Sequence, residues 1–246
     1  MVNIVDRQNR KNKVLAATVR AHIRNSQPIS SQELAEEFEL SSATLRNILG
    51  ELEEDGYLYH PHTSAGRIPS SKGFRYYVDF LMSESELPRQ QKDDILVELK
   101  KSDDSLEDIL EKATEVIAGV THYTSIVSLS LGDSRLFYKG LSNIIQEPEF
   151  RDLKKLTLLL EFLEERRHLF QVINQEFKEP LKVYIGEEIG CPGINEVCSL
   201  VVSTYHVGKK EKGRLAVLGP RRMSYEQTVS SLEFISQVLN NMLEEF

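Results

Sequence analysis

Residues 41–56, SSATLRNILGELEEDG, constrain the fold more tightly than any other segment of this 246-residue chain. Ser41 and Ser42 supply an N-cap signal, and Gly56 stands where the helix that they open would need a C′ residue. Apolar residues recur at i, i+3, i+4 and i+7, the spacing of one buried helical stripe: Leu45, Ile48, Leu49 and Leu52. The opposite face then presents small and polar residues: Ala43, Thr44, Arg46, Asn47, Gly50 and Glu51.

Two further helices are predicted before this one. The first runs from about Arg7 to Asn25, and Pro28 follows its end. The second begins at Ser30, because the spacing from Ser30 to Glu33 matches a capping box. Two short helices joined by a tight turn, the second with a polar N-terminal half, are typical of a helix-turn-helix. The same spacing also fits a plain three-helix subdomain with no DNA-binding role.

A short β-hairpin is predicted directly after the third helix. Residues 57–59 and 67–69 have the character of strands, residues 60–64 form the turn, and Pro69 confines its strand to a sheet edge. Such a hairpin would be the wing of a winged helix. Gly66 would let the wing backbone approach a phosphate closely, and Arg67 is placed for a phosphate or a minor-groove edge.

Charge is distributed unevenly along the chain. Residues 1–80 hold 10 basic and 10 acidic residues, so the net charge of −8 belongs to the remainder, which has 20 basic and 28 acidic residues. Within the first part, six cations precede Glu33 against Asp6 alone, and the acids are concentrated from Glu33 to Asp55. A domain of zero net charge with such segregation can still present a positive face to phosphates.

The second half of the chain reads as helix followed by sheet. After a candidate linker at 83–88, the pattern is largely helical from about 89 to 120, and a further helix is predicted over 152–167. Predicted strands cover 125–131, 135–140, 168–177, 181–185, 197–206 and 214–219. A last helix is predicted from Ser224, with Gln227 completing a capping box. Strands flanked by helices give an α+β fold with an antiparallel sheet.

Three segments are therefore expected. Residues 1–82 form a winged helix-turn-helix DNA-binding domain, residues 83–122 a helical linker or first helix of the second domain, and residues 123–246 an α+β domain. No apolar run is long enough to span a bilayer, and the N-terminus lacks the features of a signal peptide, so we expect a cytoplasmic protein.

The sequence offers no constellation typical of an enzyme. Cys191 and Cys198 fit neither a zinc knuckle nor a redox pair and are assigned to the core. His60 and His62 lie two residues apart and could in principle bind a metal, but no third ligand follows, so a turn or a phosphate contact is favoured. We predict no catalytic residue, no cofactor and no metal.

The segment SSATLRNILGELEEDGYLYHPHTSAGRIPSSKGFRYYVD, residues 41–79, resembles the signature of the HrcA family of heat-inducible transcription repressors. LSNIIQEPEFRDLKKL (141–156), IGEE (185–188), CSLVVSTY (198–205) and GRLAVLGPRRMSYEQ (213–227) are similar to the second domain of that family. The resemblance implies that the second domain is GAF-like. Here SIVSLSLGDS joins two stretches that typical members separate by an inserted dimerisation subdomain, so this GAF-like domain is shortened and the insert is missing.

The resemblance implies a homodimeric repressor that binds double-stranded operator DNA with an inverted repeat, the CIRCE element, upstream of chaperone genes. It also implies modulation by a chaperonin of the GroEL type. The dimer is expected to use the helices after Arg89 and the GAF-like surface. The predicted DNA-binding residues come from the third helix, the wing and the first helix: Ser42, Thr44, Arg46, Asn47, His62, Ser64, Gly66, Arg67, Arg7, Arg10 and Lys11.

Two other functions fit parts of the same sequence. The GAF-like domain could bind a small molecule that sets DNA affinity, which would make the chain a ligand-sensing regulator. A winged helix can also serve as a protein-interaction module, although that role does not require polar side chains on the first turns of the third helix or a glycine–arginine wing.

Overall fold

The structure is a computed structural model that describes residues 2–62, 66–83, 85–102, 105–130, 135–209 and 211–246, with side chains from Arg7 onward. Within these residues the chain divides into two compact units, residues 1–83 and residues 84–246. The expected fold class, α+β with an N-terminal winged helix-turn-helix, is confirmed.

The first unit contains four helices and a two-stranded antiparallel sheet. In chain order they are α1 (Val2–Asn25), α2 (Ser31–Ala35), α3 (Ser42–Glu54), β1 (Leu58–Tyr59), β2 (Ile68–Pro69) and α4 (Ser71–Tyr76), followed by a π-helical turn at Tyr77–Leu81. Helix α3 ends as predicted, since Gly56 adopts a left-handed φ of 78°. The core of the unit is formed by fully buried side chains from every helix: Leu15, Val19, Ile29, Leu34, Leu45, Leu49, Phe74 and Tyr77.

The second unit has a five-stranded antiparallel sheet in the order β4-β3-β7-β6-β5. Its strands are β3 (Thr124–Leu129), β4 (Arg135–Lys139), β5 (Leu181–Ile185), β6 (Cys198–Val207) and β7 (Glu211–Pro220). Its helices are α5 (Arg89–Leu99), α6 (Leu106–Thr121), α7 (Leu141–Gln146), α8 (Leu153–Glu164), α9 (Arg166–Ile173) and α10 (Tyr225–Met242), with 3₁₀ turns at Pro148–Arg151 and Gly186–Ile189.

Both faces of this sheet are covered by helices. Alternate residues of the central strands point to opposite faces. One face carries Leu200 and Leu218, which form a buried cluster with side chains from α7, α8 and α9. The other face carries Ser199, whose hydroxyl lies 2.8 Å from the Tyr225 hydroxyl at the start of α10. Because of this double coverage, β6 and β7 are buried along most of their length.

Strands β3 and β4 are hydrogen-bonded neighbours at one margin of the sheet. Their register runs from Ser125↔Lys139 to Leu129↔Arg135, so residues 130–134 join two adjacent strands. We predict that the family's inserted subdomain is missing between these strands, and in the sequence five residues separate β3 from β4.

Arg222 links two distant segments of the second unit. Its guanidinium donates from Nε to Glu149 Oε1 at 2.7 Å, and from Nη2 to Glu149 Oε2 at 3.0 Å and to Glu147 Oε2 at 2.6 Å. The Arg222 side chain is only 8% exposed. The chain between β7 and α10 is therefore held against the segment between α7 and α8. This contact brings together the sequence motifs at 141–156 and 213–227.

Two local predictions are wrong. Residues 168–177 are not a strand, because α9 occupies Arg166–Ile173 and buries Leu169, Val172 and Ile173 at helical spacing. The capping box at Ser224 does not form either, since the Ser224 side chain makes no cap hydrogen bond in the described structure. Gln227 instead donates from Nε2 to the Val120 carbonyl at 2.9 Å, and this tertiary contact takes the amide away from the helix terminus.

Candidate nucleic-acid interface

Helix α3 is fixed in rotation by its cap and its buried stripe. Ser41 accepts a hydrogen bond from the Thr44 backbone N–H at 3.1 Å, which satisfies one of the orphan donors of the first turn. The side chains Leu45, Leu49 and Leu52 are at most 2% exposed. The opposite face of α3 is consequently turned outward, as the helical spacing predicted.

Arg46 and Asn47 lie on this outward face, and both side chains are exposed. Among the residues that the structure describes, neither side chain has a hydrogen bond or an ion pair. A guanidinium and a carboxamide held side by side on a rigid helix can each make two parallel hydrogen bonds to the edge of a purine base.

Ser42 and Thr44 are half-buried, and their hydroxyls already have partners. Ser42 Oγ lies 3.0 Å from Ser31 Oγ and links α2 to α3, while Thr44 Oγ1 lies 2.9 Å from Ser41 Oγ at the cap. Both residues therefore contribute to the geometry of the helix-turn-helix turn. A contact of either hydroxyl with DNA stays a prediction.

The wing is held to the body of the unit by a second backbone contact. Beyond the pairing of β1 with β2, Ile29 and Arg67 form an antiparallel bridge, with Ile29 N–H donating to Arg67 O at 2.8 Å and Arg67 N–H donating to Ile29 O at 2.9 Å. This bridge attaches the wing to the turn before α2. Of the predicted wing contacts, His62 is exposed, and Ser64 lies outside the described residues.

Glycine is required at position 66 because the backbone there passes very close to the backbone of Ile29. A Cβ atom added to Gly66 would lie 2.4 Å from the Ile29 carbonyl oxygen, a distance that real Cβ atoms do not show. The absence of a side chain at this position therefore permits the Ile29–Arg67 bridge. The predicted approach of the Gly66 backbone to a phosphate would be a second use of the same residue.

Glu53 at the end of α3 binds two side chains of the hairpin. Its Oε2 accepts from Arg67 Nε at 3.1 Å, and its Oε1 lies 2.6 Å from His60 Nδ1. Burial raises the pKa of Glu53, but the hydrogen bonds from His60 and Arg67 outweigh that effect and hold the pKa below its ordinary value. The Arg67 side chain is 14% exposed, so most of it belongs to this cluster.

Two cations of α1, Arg7 and Lys11, are paired with acids at the C-terminal end of α3 and its cap. Arg7 Nη2 lies 2.5 Å from Glu51 Oε1, and Lys11 Nζ lies 2.5 Å from Asp55 Oδ2. The hydrogen bond from Arg7 holds the pKa of Glu51 below its usual range. These pairs cancel much of the charge that Arg7 and Lys11 would otherwise present to phosphates. The Arg7 and Arg10 side chains are both exposed.

Sequence reasoning missed Glu53 and Ile29 as organisers of the wing. Both residues act through contacts between segments that are distant in sequence. The sequence indicated this part of the wing only through Arg67 and the glycine that precedes it. The sequence reasoning also assigned no role to Arg24, an exposed cation at the end of α1 that has no partner among the described residues.

The described residues lack two kinds of feature. They contain no helix long and apolar enough to cross a membrane. They also contain no group of three or more His, Cys, Asp and Glu side chains placed to hold a metal ion.

The chain is similar to known proteins along almost its whole length. A family model described as HrcA protein C terminal domain matches residues 128–229, and a model described as winged helix-turn-helix DNA-binding matches residues 17–59. The heat-inducible transcription repressor HrcA of Symbiobacterium thermophilum is 28% identical over 335 residues, which cover 95% of this chain and 98% of that protein. The protein of the same name from Pelotomaculum thermopropionicum is 28% identical over 337 residues, with coverage of 96% and 97%.

These alignments are much longer than the chain itself. They extend over 335 and 337 positions, whereas the chain has 246 residues, so a substantial part of each relative has no counterpart here. Among solved structures, the crystal structure of a hypothetical protein has a TM-score of 0.75 at 21% identity and covers 96% of this chain and 98% of its own. That similarity establishes a shared fold.

Proposed function

Because the chain belongs to the HrcA family of heat-inducible transcription repressors, we propose that it represses chaperone operons by binding, as a dimer, an inverted-repeat operator of the CIRCE type. The observation that carries the proposal is the outward face of α3, where Arg46 and Asn47 are exposed and have no partner among the described residues.

In this proposal α3 enters the major groove. Arg46 reads a guanine through its O6 and N7 atoms, and Asn47 reads an adenine through its N6 and N7 atoms, the base edges that suit a guanidinium and a carboxamide. Ser42 and Thr44 lie at the N-terminal end of the helix and contact the phosphates beside the groove.

The wing follows the flanking backbone or minor groove. His62, Ser64, Gly66 and Arg67 make the wing contacts, and the Ile29–Arg67 bridge fixes the direction in which the hairpin leaves the unit. Arg7, Arg10 and Lys11 add phosphate contacts that depend on salt, and those of Arg7 and Lys11 are weakened because their charges are shared with Glu51 and Asp55.

Two-fold pairing of the chain supplies the second half-site. One winged helix reads only a few base pairs, and repressors of this kind gain specific affinity by placing two recognition helices on symmetric half-sites.

The proposal also includes modulation of this chain by a GroEL-type chaperonin, which the family resemblance implies. Addition of purified chaperonin to the operator-binding reaction tests this part separately, and unchanged operator occupancy would remove it.

The central experiment is a gel-shift titration with an inverted-repeat operator and a scrambled duplex of equal length over a series of salt concentrations. We expect the operator to bind roughly a thousandfold more tightly than the scrambled duplex, and both affinities to fall as salt rises. Equal affinity for the two duplexes at every salt concentration would contradict a specific repressor.

One observation favours ligand sensing as a second candidate function. A cleft of about 480 Å³ lies beside β4 and is lined by three arginines and two phenylalanines: Arg135, Arg166, Arg167, Phe137 and Phe170. Such a lining suits an aromatic or apolar anion. A thermal-shift screen of such anions, with and without operator, tests the idea, and the absence of any stabilising compound would leave it without support.

A further inference from the structure

A cleft of about 480 Å³ lies beside β4, the terminal strand of the sheet. Three successive residues of β4 line it: Arg135, Leu136 and Phe137. Arg135 pairs with Glu107 of α6, whereas Leu136 packs against the buried cluster on the other face of the sheet. A cleft that contacts side chains on both faces passes around an edge of the strand. Because the other edge of β4 is paired with β3, the cleft lies along the free edge.

The free edge of β4 presents backbone groups to a ligand. Among the described residues, the backbone of β4 is hydrogen-bonded to β3 alone. Every second N–H and C=O of a terminal strand points away from the sheet. An extended peptide can pair with this row of donors and acceptors and so add a strand, whereas a small molecule would leave most of them unpaired.

The other wall of the cleft is positively charged. It is formed by the first turns of α9, where Arg166 and Arg167 are exposed and form no ion pair or hydrogen bond among the described residues. Cations are unfavourable in the first turn of a helix, so these arginines do not stabilise α9. Glu165, the residue before them, lies 3.5 Å from the His168 ring. No described acidic side chain lines the cleft, which therefore favours carboxylates.

Aromatic rings accompany the arginines on both faces of the sheet. Arg135 and Phe137 are two residues apart in β4 and share one face, while Arg166, Arg167 and Phe170 lie on the face that α9 covers. Each face thus offers a guanidinium to a carboxylate and a ring to an apolar side chain. Since alternate residues of an extended segment point to opposite faces, a segment that repeats two acids and two apolar residues would match both.

We propose that this cleft is a docking site for an acidic, extended segment of a partner protein, which pairs with the free edge of β4 as a sixth strand of the sheet. A second copy of β4 is a poor occupant, because the strand contains Arg135 and Lys139 and no acid, so no register sets a carboxylate beside a cation. The competing occupant is the small anion of the second candidate function. The inference goes beyond operator binding and does not depend on it.

The binding probe is a fluorescently labelled peptide of repeating Glu-Glu-Val-Val, titrated with the full chain and followed by anisotropy. We expect a Kd on the order of ten micromolar at low salt. A peptide of repeating Lys-Lys-Val-Val should not bind. N-methylation of the central repeat keeps the charges but removes backbone donors, and it should weaken binding roughly tenfold. Hydrogen exchange should show that the unmodified peptide protects amides of β4.

Arg166→Glu and Arg167→Glu test the charged wall. Each should weaken peptide binding about tenfold, and α9 should persist because acids suit the first turn of a helix. Lys154→Glu is the matched control, since it changes the net charge equally at an exposed position of α8 that does not line the cleft. We expect its Kd to stay within about twofold of that of the original chain. Circular dichroism compares the helical content of all variants.

Several results would overturn the proposal. Equal affinity for the methylated and unmodified peptides would mean that charge alone governs the cleft, as it does for a small anion. Peptide affinity that neither arginine variant changes, or exchange of the β4 amides that the peptide does not slow, would place binding elsewhere. An oligothymidylate that binds more tightly than the peptide, with the same loss in the arginine variants, would make the cleft a nucleic-acid surface.

Gel shifts keep this inference separate from the proposed function. A chain that prefers the operator but does not bind the acidic peptide would refute the docking cleft alone. A chain that binds the peptide at β4 but shows no operator preference would refute the repressor alone.

Discussion

The carboxylate of Glu53 accepts a hydrogen bond from Arg67 Nε at 3.1 Å and so joins the end of α3 to the residue that precedes β2. Glu53→Gln keeps the shape of the side chain but removes its charge and one acceptor. We expect the free energy of unfolding of the first unit to fall by about 1 kcal/mol, a modest value because the carboxylate is a third exposed. Urea unfolding measures the change. Glu54→Gln, at an exposed position of α3 without a described partner, should leave stability unchanged.

The same carboxylate makes stability depend on acidity. Its pKa is lower in the folded chain than the ordinary value of 4.5, so the folded state binds a proton less readily than the unfolded state. The stabilisation is therefore complete above pH 4.5 and is lost as the pH falls through the lower, folded pKa. The difference between the original chain and Glu53→Gln should shrink as the pH falls below 4.5 and approach zero once the pH lies below the folded pKa. A constant difference over that range would show that Glu53 acts through shape alone.

Two glycines of the first unit should respond to alanine in opposite directions. Gly66→Ala forces a methyl group against the Ile29 carbonyl, so the bridge to the wing must open, and we expect a loss of roughly 2 kcal/mol. Gly50→Ala adds a methyl group with nothing within 4 Å and should stabilise α3 by about 1 kcal/mol. Thermal unfolding of both variants gives the comparison. Equal and small shifts in Tm would mean that the wing is not held by this contact.

Among the ion-paired residues described in the second unit, Arg222 is the one whose removal should lower the free energy of unfolding most. Arg222→Ala leaves the carboxylates of Glu147 and Glu149 together without their cation, in a site where the arginine is 8% exposed. We expect unfolding to become easier by about 3 kcal/mol. Arg222→Lys keeps the charge but not the double hydrogen bond to Glu149, and should lose about half as much. The exposed Arg89→Ala serves as the control and should change little.

Asn47 and Arg67 should affect DNA binding in different ways. Asn47→Ala should reduce discrimination at one base pair by about 1–3 kcal/mol, since it removes the carboxamide that we propose reads adenine. Arg67→Ala should weaken binding to operator and scrambled duplex alike, because it removes the proposed phosphate contact and the hydrogen bond to Glu53 that holds the wing. Competition gel shifts with singly substituted operators measure both. Asn241→Ala, an exposed position in α10, is the matched control, and an unchanged specificity ratio for Asn47→Ala would refute the docking of α3.

Local signals were enough to predict the framework of the first unit. The N-cap at Ser41, the left-handed Gly56 and the leucine stripe between them each depend on residues within one or two turns. The hairpin after α3 and the antiparallel sheet of the second unit were also predictable, because turn residues and apolar alternation are visible in short windows.

Features that depend on distant partners were not predictable. Residues 168–177 contain apolar residues that fit a strand or a short helix equally well. They form part of α9 because the helical conformation packs Leu169, Val172 and Ile173 into the buried cluster beside the sheet. Gln227 bonds to Val120, which is 107 residues away, rather than to its own helix terminus. The pairing of Arg7 and Lys11 with the acids of α3 likewise required the packing of α1 against α3, so the sequence overstated the positive charge of the first helix.

The connection between β3 and β4 has a practical consequence for engineering. Because it joins an edge strand to its neighbour, added residues between Ser130 and Arg135 would leave the sheet without crossing another strand. A guest domain whose termini lie close together, such as a fluorescent reporter, could be spliced there while β5, β6 and β7 keep their pairing. This connection can therefore accept inserted domains of different sizes. Repressors of this kind could differ in length at this point while the sheet keeps the same strand pairing.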